Sequence, residues 1–412
     1  MNLQFSIPLL VGRRIVLGVT GSIAAYKAAD LASKLTQAGA QVDVVLSQAA
    51  QKFISALTFR SLTGRSVYTD SDLWSVEAHI LHVGLAADAD LLVIAPATAN
   101  TLAKIAHGQA DSLLTITALA ADCPLLVAPA MDAHMYENQA TQANVETLNK
   151  RGIMVIGPAE GRMASGFVGL GRFIEPQEII GHIRLALGKS GPLAGFQVLV
   201  TAGGTQEPID AVRTITNRSS GKQGYALAQA ALDRGAAVTL ISAPTYLDPP
   251  VGADLVAVKT AKELQSAVVS ASPESDVLLM AAAVADFRPG QAQFEKIKRR
   301  KGIPKIDLEP TEDILGLVAT VQEQEGRPRL IVGFAAESEN LVANAREKME
   351  EKGLALVVAN DISSEIAGFE VDTNQVTLID SEGGVQELPL MSKAEVAEVV
   401  LQRVLQLLES LE

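Results

Sequence analysis

Cysteine is nearly missing from this 412-residue chain. Cys123 stands alone, which excludes an intramolecular disulfide and any cysteine-built zinc site. A reducing cytoplasm is the expected setting. Histidine is scarce as well: His79, His82, His107, His134 and His182 are the whole supply. Net positive charge is lacking, and a formal charge of −13 argues against a nucleic-acid partner. No apolar run is long enough to span a bilayer, since the stretch from Leu113 to Met131 is interrupted by Asp122 and Pro124. It reads as a helix followed by a strand. The apolar start, Met1 to Leu10, has no basic leader, so no signal peptide and no membrane partner are expected.

What the chain does have is the start of a nucleotide-binding α/β unit, twice. Arg14-Ile15-Val16-Leu17-Gly18-Val19-Thr20-Gly21-Ser22 precedes an alanine-rich helical segment, and Gln197-Val198-Leu199-Val200-Thr201-Ala202-Gly203-Gly204-Thr205 precedes a helix delayed to Gly221. A strand that stops at glycine before a helix brings bare N–H groups and a positive helix end to one point, which suits phosphate. Two such points in different settings imply two ligands and two activities. With 48% hydrophobic residues the chain can bury two cores.

Runs of Val, Ile and Leu without polar alternation predict strands at 15–19, 42–46, 91–95, 125–128 and 154–156, and again at 198–201, 238–242, 277–280, 330–334 and 355–359. Thr260 with Glu263 and Ser392 with Glu395 predict capping boxes, and 375–390 reads as a hairpin. The expected fold is α/β with two doubly wound Rossmann-like domains, residues 1–187 and 196–412. The breaker-rich stretch 188–195 is the expected linker.

In the second half, Arg213, Asn217, Arg218, Ser219, Ser220, Gly221 and Lys222 lie between strand and helix. Hydroxyls, N–H groups and a cation together suit a polyphosphate, although the first glycine of a Walker A loop is absent. Ala282 and its small neighbours let a ligand approach the strand end, where Asp286 could hold Mg²⁺ on phosphate oxygens. Lys296 and Lys298 belong to a basic run that reads as a phosphate clamp or lid in so acidic a chain.

These segments, with Gly333-Phe334-Ala335-Ala336-Glu337 and Ala359-Asn360-Asp361, resemble the phosphopantothenate–cysteine ligase family. The resemblance covers most of the second half and implies CTP-driven amide formation. The carboxylate of phosphopantothenate attacks CTP to give an acyl-cytidylate and pyrophosphate, and the amine of cysteine then displaces CMP. It also implies that Lys296 neutralises the triphosphate, Asp286 binds CTP·Mg²⁺ and Asn217 contacts the acyl-cytidylate. Arg213 would support the turn or bind substrate, and Phe334 would line the nucleotide site.

In the first half, Ala95-Pro96-Ala97-Thr98-Ala99-Asn100-Thr101 ends a buried strand with small and hydroxylated residues, and Ala128-Pro129-Ala130-Met131-Asp132 ends another. Together they resemble the flavin-dependent cysteine decarboxylase family over roughly residues 12–185, with a flavodoxin-like fold. The resemblance implies Gly21, Ser22 and Ser47 at the phosphate of FMN, and Pro96, Thr98, Asn100 and Thr101 at its ring. His82 would be the catalytic histidine, with His79 next in line. The implied reaction is oxidation of the substrate thiol to a thioaldehyde, loss of CO₂ as sulfur accepts the electrons, and return of a hydride.

Two positions depart from better-known members. Asp132 replaces an asparagine at the substrate carboxylate, so it is expected protonated, paired with a cation or turned away. Ser165 replaces a catalytic cysteine in the glycine-rich flap 161–172, so the closing reduction needs another proton source.

The reading is therefore a bifunctional enzyme that takes phosphopantothenate, cysteine and CTP and yields phosphopantetheine. A short-chain dehydrogenase is disfavoured because neither Tyr-x-x-x-Lys nor G-x-G-x-x-G occurs. A non-catalytic regulatory flavoprotein is disfavoured because no long acidic extension is expected. The resemblance also implies a homo-oligomer, with trimers of the flavin domain and dimers of the ligase domain.

Overall fold

Segments rich in Val, Ile and Leu become strands here because both faces of each sheet are covered, so neither face has to carry polar side chains. The computed structural model describes residues 7–74, 80–298, 305–337, 340–361 and 371–411. Two units result, Met1–Leu187 and Gly188–Glu412.

In the first unit, β1 (Arg14–Val19), β2 (Gln41–Leu46), β3 (Val67–Thr69), β4 (Leu91–Ala97), β5 (Leu125–Pro129) and β6 (Met154–Val155) form one parallel sheet. Its order is β3-β2-β1-β4-β5-β6. The five strands without the short edge strand β3 run in flavodoxin-like order, and β3 completes the Rossmann order. Either way, the winding reverses between β1 and β4. Ile15, Leu17, Val19, Val93 and Ala95 face one core, while Val16, Val45, Leu92 and Ile94 face the other. Gly18 is small for a reason: a Cβ there would meet Leu114 Cδ1 at 2.4 Å, so it lets the helix Leu113–Ala120 close on the sheet. Buried Asp43 on β2 is neutralised by the Arg65 guanidinium through bonds of 2.9 and 2.8 Å. A hairpin of β7 (Ala159–Arg162) and β8 (Val168–Arg172) forms the flap.

The second unit holds β9 (Gln197–Ala202), the ribbon β10 (Gln206–Pro208) with β11 (Thr214–Thr216), then β12 (Ala237–Ser242), β13 (Ala253–Ala257) and β14 (Val277–Met280). A second ribbon pairs β15 (Phe287–Pro289) with β16 (Leu308–Pro310). β17 (Leu330–Glu337), β18 (Leu356–Asp361), β19 (Thr373–Asn374), β20 (Val376–Asp380), β21 (Val385–Glu387) and β22 (Met391–Ser392) follow, with β19 and β22 paired. The main sheet runs β13-β12-β9-β14-β17-β18-β20-β21, parallel as far as β18. Its winding reverses between β9 and β14. Both expected capping boxes form, at Thr260 and Ser392.

The stretch 188–195 is not a free link. Leu193 is fully buried and its N–H donates to Arg234 O at 2.8 Å, so these residues pack as part of the second unit. Among the described residues, no helix is long and apolar enough to cross a membrane.

Candidate active sites

In open α/β sheets a ligand sits past the carboxyl ends of the strands, where the winding reverses. In the first unit that point is well built. Buried Thr20, just past β1, donates its hydroxyl to Pro96 O at 2.6 Å and accepts from Thr98 N at 3.1 Å, locking the ends of β1 and β4 together. A Cβ on Gly21 would lie 2.4 Å from Ala49 Cβ, so only glycine fits between the two loops. Ser22 accepts from Ala24 N and Ser47 from Ala50 N, each at 3.2 Å. Thr98 caps the helix Ala99–Ala106 by accepting from Thr101 N. In these bonds Ser22 and Ser47 spend lone pairs on the backbone and not their O–H protons. Gly21, Ser22, Ser47, Pro96, Thr98, Asn100 and Thr101 thus share the β1, β2 and β4 edge, Asn100 exposed and Thr101 buried.

His82 lies in the first turn of the helix Leu81–Ala87, which carries the chain back toward the start of β4. Its Nδ1 is buried without a hydrogen-bond partner among the described residues. Such an atom is costly to leave unmet and fits a site completed by a ligand. His79 lies outside the described residues.

Asp132 is paired with no cation among the described residues. Its Oδ1 caps the helix Ala133–Glu137 by accepting from His134 N at 3.1 Å, and its Oδ2 accepts from Ser165 Oγ at 2.8 Å. The Ser165 hydroxyl, and after it the His134 N–H, hold this carboxyl below its ordinary range, so Asp132 is ionised. Neither a cation nor a substrate group is needed to keep it so.

In the second unit the β9 and β14 ends are woven together. Ala283 N donates to Gly203 O at 2.8 Å, Ala285 N to Thr205 Oγ1 at 2.9 Å and Ala282 N to Thr201 Oγ1 at 3.0 Å. A cavity of about 910 Å³ opens beside them, and its wall includes Asn217, Ser219, Ser220, Gly221, Lys222, Ala282, Asp286 and Phe334. Gly221 starts the helix Lys222–Leu232 at φ 75°, and a Cβ there would strike Thr245 Cγ2 at 2.5 Å. The Asn217 amide donates to Val284 O at 2.8 Å, fixing the turn against the β14 end. Lys222 is bound to Asp372 at 2.5 Å, which lowers the Asp372 pKa. Among the described residues no three metal-ligating side chains converge. Asp286 as a single carboxylate fits a Mg²⁺ that arrives on phosphates, and does not fit a protein-built cage.

Three expected residues are not on that wall. Arg213 pairs with buried Asp210 at 2.8 Å and donates to Ile297 O at 2.7 Å, so it supports the turn. Lys296 and Lys298 are exposed on the segment that this pair anchors. Asp210 is held down to about 2, first by the Ile297 N–H and then by the N–H groups of Val212 and Arg213.

Two known families match the chain, one over each unit. The family described as Flavoprotein matches residues 9–187, and the DNA/pantothenate metabolism flavoprotein C-terminal domain matches residues 193–408. The coenzyme A biosynthesis bifunctional protein CoaBC of Bacillus subtilis (strain 168) is 44% identical over 399 residues, covering 96% of this chain and 97% of the relative. The chain belongs to the bifunctional coenzyme A biosynthesis family. It joins a phosphopantothenoylcysteine decarboxylase to a phosphopantothenate–cysteine ligase. The Mycobacterium bovis relative of the same name is 44% identical over 403 residues, covering 95% of this chain and 96% of its own. Among solved structures, the C-terminal domain of a bifunctional CoaBC protein is 40% identical, with a TM-score of 0.46 over 54% of this chain and 100% of its own. The FMN binding protein AtHal3 is 38% identical, with a TM-score of 0.39 over 42% of this chain and 95% of its own.

The ligase cavity of this family member also holds residues that the sequence reading passed over. Lys348 and Lys352 reach it from the helix Leu341–Lys352, with Lys352 bound to Asp313 at 2.8 Å and its pKa raised by that bond. Lys348 donates to Phe334 O at 2.8 Å. Buried Lys393 lines the cavity, its pKa lowered by burial and then by Lys222, against the pull of Asp372. Asn360, from the Ala359-Asn360-Asp361 segment already noted in the sequence, adds a buried Oδ1 with no hydrogen-bond partner among the described residues. The i,i+4 spacing of Lys348 and Lys352 was the available signal, but any solvated helix face shows it.

Proposed function

We propose that the decarboxylase unit takes FMN in the crevice between β1 and β4, and that the ligase unit takes CTP with Mg²⁺ in the 910 Å³ cavity. FMN would supply the two-electron oxidation at the substrate's thiol-bearing carbon and the later reduction. The hydroxyl protons left over at Ser22 and Ser47 support a phosphate between them. His82 would move the thiol proton, a task suited to an imidazole near neutral pH.

In the ligase, a carboxylate that attacks a triphosphate meets like-charge repulsion, and nearby cations offset it. Lys348 and Lys352 on the cavity wall fit that task, and Asp286 would hold Mg²⁺ on the phosphate oxygens. Lys296 and Lys298 would serve only if the segment after Asp286 folds over the bound nucleotide. Asn217 would contact the acyl-cytidylate as a neutral donor through its second N–H, the first being spent on Val284 O. The cytoplasm suits a chain whose single thiol needs no partner. The homo-oligomer implied by the resemblance is supported by exposed Ile23, Tyr26, Phe53 and Leu57 on the first unit.

The observation that carries this reading is the convergence of the Ser219–Lys222 turn, Asp286 and two lysines on one cavity at the reversal of the sheet. The test incubates purified protein with phosphopantothenate, cysteine and CTP·Mg²⁺ and follows pyrophosphate, CO₂ and flavin absorbance. Cytidine-selective pyrophosphate release from a yellow protein is expected. A colourless protein, or equal use of every ribonucleotide, would overturn it.

A further inference from the structure

The flap is seated by two kinds of contact. At its base the contact is backbone on backbone: Met131 N donates to Gly171 O at 3.1 Å. A Cβ on Gly171 would lie 2.4 Å from Met131 O, and one on Gly169 would lie 3.0 Å from Ala133 Cβ. No side chain is required there. The tip is a tight turn closed by Met163 N to Phe167 O at 2.9 Å and Gly166 N to Met163 O at 3.0 Å. Two side-chain contacts tie this tip to the start of the helix Ala133–Glu137. Ser165 Oγ donates to Asp132 Oδ2 at 2.8 Å, and the Phe167 ring meets His134 edge-on with centroids 6.0 Å apart.

Asp132 is therefore shared. One oxygen caps the helix that follows β5 and the other receives the flap. The β5 end is itself tied to β4, because Ala130 N donates to Ala97 O at 3.0 Å. A hydroxyl bound to an ionised carboxylate is a charge-assisted bond, stronger than a neutral one.

We propose that Asp132 is a positioning residue for the decarboxylase reaction: it latches Ser165 and so holds the flap tip in place at the carboxyl edge of the sheet. The Ser165 proton is committed to Asp132 in this arrangement. Ser165 then acts by location and donates no proton to substrate while latched. An asparagine at 132 can reproduce both contacts, its oxygen capping the helix and its NH₂ donating to the Ser165 hydroxyl. Alanine can reproduce neither.

The inference rests on the decarboxylase reading above, so one of its readouts needs no substrate. Hydrogen exchange over residues 159–172 of the FMN-loaded protein reports the tip directly, and decarboxylation of phosphopantothenoylcysteine reports its use. Ser165→Ala keeps the helix cap and removes only the latch. Exchange at 163–167 should rise about tenfold and kcat/KM fall about tenfold, with flavin content and pyrophosphate release unchanged. Asp132→Ala should do the same, and Asp132→Asn should recover the protection and most of the lost kcat/KM. Unchanged tip exchange in Ser165→Ala would overturn the latch. So would an Asp132→Asn protein with restored protection but the activity of the alanine variant, because the charge would then act on substrate directly. If the unaltered protein releases no CO₂, the decarboxylase reading fails, and the exchange data still decide the latch.

Discussion

Asn217 and Val284 lie 67 positions apart in sequence, yet the Asn217 amide donates to the Val284 carbonyl at 2.8 Å. The bond joins the turn that precedes the helix Lys222–Leu232 to the loop that leaves β14, the two walls of the ligase cavity. Asn217→Asp replaces that donor by a carboxylate facing a carbonyl oxygen. It also adds a negative charge at the proposed triphosphate site. Pyrophosphate release should fall at least about 100-fold, the scale of losing one oriented donor in an acyl-transfer site. Decarboxylation of supplied phosphopantothenoylcysteine should continue. Normal turnover would remove Asn217 from the ligase mechanism.

The mirror experiment addresses His82, whose Nδ1 is buried and unpartnered among the described residues. His82→Asn should cut CO₂ release by about 100- to 10,000-fold, the usual range for losing a general acid–base group. Pyrophosphate release should be spared. Loss of both activities would mean instead that the substitution damages folding.

Lys352 and Asp313 form an ion pair at the cavity wall, and that bond raises the lysine's pKa. The lysine stays charged throughout the neutral range, as the proposed phosphate site requires. Lys352→Met should raise KM for CTP about tenfold, with little change in KM for cysteine. An unchanged KM for CTP would place the triphosphate elsewhere.

Much of this was legible in sequence, and the reasons are local. Buried parallel strands such as Val277–Met280 are continuous apolar runs with no competing period, so they stood out. The capping boxes at Thr260 and Ser392 are short-range chemistry within four residues. Lys393 was not legible, since it enters the cavity because β19 pairs with β22 nearly twenty residues on. The Ser165–Asp132 bond spans 33 positions and depends on how the flap folds back. For Arg213 the sequence left two roles open, support of its turn or substrate binding, and its partners Asp210 and Ile297 make it a brace. Residue type gave the charge; only the tertiary fold decides what the charge meets.

That brace yields a pH prediction. Asp210 is held down to about 2 by N–H groups from Ile297, Val212 and Arg213. For a carboxyl depressed in the folded state, the stabilisation is full above its ordinary value near 4 and is lost as pH falls through 2. The segment bearing Lys296 and Lys298 should therefore stay anchored from neutral pH to about 4, and release between about 4 and 2. Isoleucine-methyl resonances of selectively labelled protein would follow Ile297. A change centred near pH 6 would contradict the assignment, and Asp210→Asn should weaken the anchor at every pH.

Asp43 and Arg65 make the corresponding claim about stability in the first unit. Asp43 is 4% exposed on β2, and Arg65 holds both of its oxygens at 2.9 and 2.8 Å. Arg65→Met leaves a buried carboxylate with only Arg14, at 3.8 Å, as a cation among the described residues. Breaking a fully buried pair costs about 3–5 kcal/mol. Arg65 is itself about one-third exposed, with a side-chain accessibility of 32%, so the screened cost should be nearer 2 kcal/mol. The calorimetric transition of the first unit should fall by about 4–8 °C. Replacing both partners, Asp43→Val with Arg65→Met, removes the stranded charge and should restore most of that loss. A double variant no more stable than Arg65→Met would show that the pair contributes shape to β2, with its charge incidental.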